Sequence, residues 1–108
     1  MSNSILVANL NRLITDIKII TGSMSILDQS VAAKDSIAQS TALDAINFRI
    51  REIAKLTMNI GILSFPIDNI LVELSSPTPN AKILHDLMDT QLDSLRKAAL
   101  SEILTLSI

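Results

Sequence analysis

One run of aliphatic residues constrains this chain more than anything else in it. Leu6, Leu10, Leu13, Ile17, Ile20, Met24, Leu27 and Val31 step four, three, four, three without a miss. A repeat averaging 3.5 residues holds one apolar seam of a helix against a neighbouring helix. Two more stripes follow. Leu43, Ile46, Ile50, Ile53 and Ile60 form the second, with Thr57 in one apolar slot, and Leu84, Met88, Leu92, Leu95, Ala99, Ile103 and Leu106 form the third. The third averages about 3.67 residues per step, a rhythm of straight or slightly right-handed packing. Helices of unlike rhythm suit a globular assembly better than a long rod. The expectation is an all-α fold: a small helical bundle of four to five helices with coiled-coil-like packing, in one domain over residues 1–108.

Local signals set the expected boundaries. Ser2, Asn3 and Ser4 can accept from the free N–H groups of a first turn. Gly22 offers a stop, and Ser23 or Ser25 can cap a restart, with Asp28 three residues beyond Ser25 in a capping-box-like position. The seam runs straight past Gly22, but a break there is the expectation. Residues 32–42 are small and polar around Ile37, helix material that lets a neighbour approach closely. The segment 56–74 is apolar on every side of a helix, as in a fully buried helix or a subunit contact. Its first residues, Leu56, Met58, Ile60 and Ile62, also alternate with strand periodicity; helix is expected, because no second strand is available to pair. Pro66 places a break near Ser64 and Phe65, then a short helix to about Leu74. After the loop 75–79, Thr78 as cap and Pro79 at the first helical position start the last helix. Arg12 with Asp16, and Asp93 with Lys97, are opposite charges four apart and mark outer faces. Met24, Met58 and Met88 are expected to fill the core.

Composition narrows function. The chain has no Cys, Trp or Tyr, and its aromatics are Phe48 and Phe65. Thiolate catalysis, thiolate zinc sites and disulfides are excluded, and stacking platforms for single-stranded nucleic acid lack their side chains. The formal net charge of −2 is spread thinly; the densest basic cluster, Arg49, Arg51 and Lys55, has Glu52 among it and predicts a solvated face rather than a phosphate-binding one. Glycine occurs at Gly22 and Gly61 alone, too few for a phosphate-cradling loop. His85, the single histidine, has Asp89 one turn on and Asp86 beside it, but no spaced third or fourth ligand elsewhere. No serine sits in a glycine-flanked elbow. Neither catalysis nor a cofactor or metal is expected.

The leading expectation is a non-enzymatic protein acting through helix-to-helix contacts, a self-associating adaptor or regulatory subunit. Its partner would be itself, as a homo-oligomer, or another protein, with no nucleic acid and no membrane. Three stripes and an all-round apolar segment offer more apolar surface than a domain this small can hide. The interface is therefore expected at Leu43, Ile46, Ile50, Ile53, Ile60, Leu63, Phe65, Ile70 and Leu74. The alternative is a structural or chaperone-like subunit of a secretion or other macromolecular assembly, compatible with the small size and the helix–proline loop–helix layout around Pro77 and Pro79. A membrane-surface role is disfavoured, because lipid-lying helices carry Lys, Arg and Trp where these carry acids. The N-terminus lacks a basic region ahead of an apolar run, and a cytoplasmic location is expected.

Overall fold

A computed structural model describes residues 3–60 and 68–106. The described residues are helical apart from short connections and contain no strand. The elements are α1 (Asn3–Ala32), α2 (Ser36–Ile60), α3 (Asp68–Leu74), α4 (Ala81–Leu87), a π-helical turn (Met88–Leu92) and α5 (Asp93–Leu106). The last three run on as one rod, so the packing is that of a four-helix bundle. It measures 49 × 21 × 19 Å, a long axis matching the roughly 45 Å of a 30-residue helix.

Each stripe becomes a core face. Leu10, Leu13, Ile17, Ile20, Met24 and Leu27 are buried on α1, and Ile46, Ile50 and Ile53 on α2. Leu84, Met88, Leu92, Leu95 and Ala99 complete the core from the final rod, with Ile70 of α3 among them. Leu56 is buried in α2, and residues 56–60 are helix, not strand; Ile62 lies outside the described residues. Two members depart from expectation. Val31 is exposed beside the end of α1, and Met58 is 81% exposed, so only Met24 and Met88 fill the core as expected of the three methionines. Met58 and Val72 on the surface also show that the described part of 56–74 is not buried all round.

The expected break at Gly22 does not occur. α1 continues through it to Ala32, and a Cβ built on Gly22 would meet nothing within 4 Å. The seam holds the helix together where the glycine weakens it, at a cost of about 1 kcal/mol. The break comes instead at 33–35. Lys34 takes a left-handed conformation (φ 56°). Asp35 N–H donates to Ser30 C=O at 3.0 Å and Lys34 N–H to Val31 C=O at 3.1 Å, a Schellman closure with lysine in the usual glycine place. Asp35 Oδ1 then accepts the Ala38 N–H at 3.0 Å and caps α2.

The last helix also starts two residues later than expected. Asn80, not Thr78, is the cap, its Oδ1 accepting the Ile83 N–H at 3.1 Å, and Pro79 stays outside the helix. Asn80 N–H donates to Glu73 Oε1 at 2.8 Å, tying the end of α3 to the start of α4.

α1 lies antiparallel to α2, as the ion pairs Arg12–Glu52 (3.6 Å) and Asp16–Arg49 (3.2 Å) show. α1 also packs against α5, while α3 packs on α2 and α4. α2 ends beside the early part of α1, whereas α4 begins beside its later part, where His85 meets Asp28. The chain therefore recrosses the length of the bundle between α2 and α4.

Candidate functional site

The π turn follows from the third stripe. Leu84 to Met88 to Leu92 are two successive steps of four, and each overshoots an α-turn. One wider turn absorbs the excess: Asp93 N–H bonds to Met88 C=O, five residues back, and both Met88 and Leu92 stay buried. Single-turn π segments recur at functional sites, and this one borders a groove of about 560 Å³ between α1 and the final rod. Ile17, Ile20, Met24, Met88 and Leu92 form its apolar floor, and Lys18, His85, Asp89, Asp93 and Arg96 carry the charges at its rim.

His85 and Asp28 close one end. Nε2 of His85 lies 2.7 Å from both Asp28 oxygens, and both side chains remain partly exposed. This pair assigns Asp28 to α4, not to the helix start expected of it. At the other end Asp93 accepts from Arg96 Nη2 at 2.8 Å and meets Lys97 Nζ at 3.1 Å. The hydrogen bond from Arg96, then that from Lys97, holds the Asp93 carboxyl below its ordinary value. Asp93 with Lys97 thus stands on an outer face as expected.

A carboxylate beside a histidine can orient an imidazole for proton transfer, yet such chemistry needs a nucleophile or substrate group within reach. Among the described residues lining the groove, Thr21 carries the one hydroxyl, and it donates to Ile17 C=O at 3.1 Å. Among the described residues no three His, Asp or Glu side chains gather where they could hold a metal ion. The groove has the makings of a shallow contact surface.

The residues expected at an interface are split by the structure. Ile46, Ile50, Ile53 and Ile70 are fully buried inside the chain's own core, and Leu43 and Leu74 are half-buried against it. The Ile60 side chain, Leu63 and Phe65 lie outside the described residues. Two of the three basic residues are paired with carboxylates, Arg49 with Asp16 and Lys55, whose Nζ lies 3.5 Å from Glu52, while Arg51 Nε donates to the neutral Asn47 at 3.3 Å. Asp16 is itself a correction. It lies buried on the α2 side of α1 and partners Arg49 rather than Arg12.

Sequence reasoning missed the outward apolar residues: Ile5, Ile19 and Ile26 on α1, Ile37 and Phe48 on α2, and Leu100 and Leu104 on α5. One signal could have found the first three. They stand at multiples of seven from one another, off the main seam. Among the described residues no helix is long and apolar enough to cross a membrane. No protein-family model, curated protein or solved structure matches this chain.

Proposed function

We propose that this protein is a non-enzymatic helical bundle that works by helix-to-helix contact, associating with itself as an adaptor or regulatory subunit in the cytoplasm. The observation that carries the reading is the set of large apolar side chains turned outward, with Ile5, Ile26, Phe48, Val72 and Leu104 each more than half exposed. Isolated apolar residues on a surface are ordinary, but Ile5 and Ile26 share one face of α1 with Ile19, and such a cluster marks a contact site. The groove beside the π turn, with its apolar floor and charges of both signs, also suits a partner helix better than a reaction. Multi-angle light scattering across micromolar concentrations tests the reading. A mass above that of one chain is expected; a strict monomer across that range overturns self-association. Open-ended filaments in the electron microscope would instead favour a structural subunit of a larger assembly.

A further inference from the structure

We propose that a second copy of this chain docks on the outer face of α1 and α2, its α1 antiparallel to the first. The inference rests on the self-association reading above and names the surface that performs it.

α1 carries a second heptad seam besides the one in the core. Ile5, Arg12, Ile19 and Ile26 stand seven apart, and Ala8, Thr15 and Gly22 fall three residues after the first three. All seven are exposed. This is the a/d spacing of a helix that meets another helix in left-handed packing. Large side chains alternate with small ones, so an antiparallel copy fits by interlocking. Ile5 falls opposite the partner's Gly22, Arg12 opposite the partner's Thr15, and Ile19 opposite the partner's Ala8. The reverse contacts follow from the two-fold symmetry of an isologous pair. Gly22 gains a reason here that the single chain does not give it, since a Cβ there would meet no described residue within 4 Å.

α2 extends the face. Glu52 pairs with Arg12 across the edge of the seam, and Phe48, one turn earlier on the same side of α2, is 58% exposed. The charges along this edge are all paired within the chain, Arg12 and Lys55 with Glu52 and Arg49 with Asp16. Lys18, on the seam's other flank, falls opposite the partner's Asn11. Ile5 to Ile26 spans about 32 Å at 1.5 Å per residue, and two adjacent helices are about 20 Å across, a footprint of roughly 600 Å² per copy. The total of about 1,200 Å² reaches the lower bound for a specific, stable interface.

Sedimentation velocity on the full chain and on variants at exposed positions tests the assignment, with circular dichroism to confirm that each folds. Wild type is expected to be a reversible dimer, with Ile19→Asp and Gly22→Leu weakening it more than roughly tenfold and Leu104→Asp leaving it intact. The chain has no native cysteine, so crosslinking reads orientation: Thr15→Cys, near the two-fold axis, is expected to form a disulfide between copies, and Ile26→Cys, at opposite ends of an antiparallel pair, is not. A dimer that falls apart with Leu104→Asp or Val72→Asp but survives Ile19→Asp overturns this docking face and leaves the self-association reading intact. Efficient Ile26→Cys crosslinking overturns the antiparallel arrangement. A wild type that stays monomeric at every concentration overturns self-association and the docking face together.

Discussion

Arg49 donates from Nη1 to Asp16 Oδ1 at 3.2 Å, while the second carboxylate oxygen of Asp16 is buried with no partner among the described residues. The pair joins α1 to α2 at the border of the core, with Asp16 3% exposed and the Arg49 side chain at 36%. A buried charge with half its hydrogen bonding unmet contributes little net stability, yet stranding it is costly. Arg49→Met is therefore expected to destabilise the fold by about 1–3 kcal/mol. Asp16→Leu with Arg49→Met is expected to recover most of that loss. Urea unfolding of the two single variants and the double variant checks both, and a double variant no better than Arg49→Met contradicts the account.

Two backbone positions carry opposite misfits. Lys34 holds a left-handed conformation that glycine adopts freely, and Gly22 occupies a helix interior where alanine is preferred. Lys34→Gly and Gly22→Ala are each expected to raise stability by roughly 0.5–1 kcal/mol. Thermal melts at high dilution, where association does not contribute, measure both.

The π turn yields a deletion test. Removing the exposed Thr90 lets the wide turn close to ordinary α geometry while both flanking faces keep pointing inward. The expected change is within about 1 kcal/mol of wild type. Removing Ala98 instead rotates Ala99, Ile103 and Leu106 by about 100° away from the core. That variant is expected to lose several kcal/mol, on the scale of multiple large-to-small core substitutions. Equal losses in chemical denaturation would mean that the turn is not an accommodated extra residue.

Acid sensitivity has one assigned contributor. Asp93 sits below its ordinary value of 3.8 because Arg96 and then Lys97 bond its carboxylate. A depressed folded-state pKa gives stability that is fully present above the unfolded value and is lost as pH falls through the depressed one. Asp93→Asn is expected to leave stability near neutral pH slightly lower and to flatten its decline below about pH 3.8. Unfolding free energies measured from pH 2 to 7 read the difference, and an unchanged acid limb would remove Asp93 as a contributor.

Burial was legible in the sequence because it follows period alone. Leu10 to Leu27 and Leu84 to Ala99 fall inside as their spacing requires. The connections were less legible. Gly22 is a nominal breaker overruled by a continuous seam, whereas the actual turn uses Lys34, a residue without turn preference, and is marked locally by Asp35 alone. Cross-helix pairs were invisible for a different reason. Spacing along one helix reveals partners three or four residues apart, so it offers Arg12 to Asp16 and a cap position to Asp28, while Arg49 and His85 meet them only through tertiary packing. For the same reason, period cannot say whose helix fills a seam. Ile46, Ile50, Ile53 and Ile70 find their neighbours within the chain, and the outward residues of α1 and α2 were the ones left over.

The recrossing between α2 and α4 sets an order of assembly. α1 and α2 are joined by a short turn, so their hairpin closes with little loss of chain entropy. α5 reaches α1 only after most of the polypeptide has been threaded back, a contact of large sequence separation that forms slowly. The hairpin is thus the natural nucleus, and α5 docks onto a surface already made. During synthesis that surface stays bare until the last helix has emerged, which makes the nascent hairpin the stage at which this protein most needs protection from aggregation.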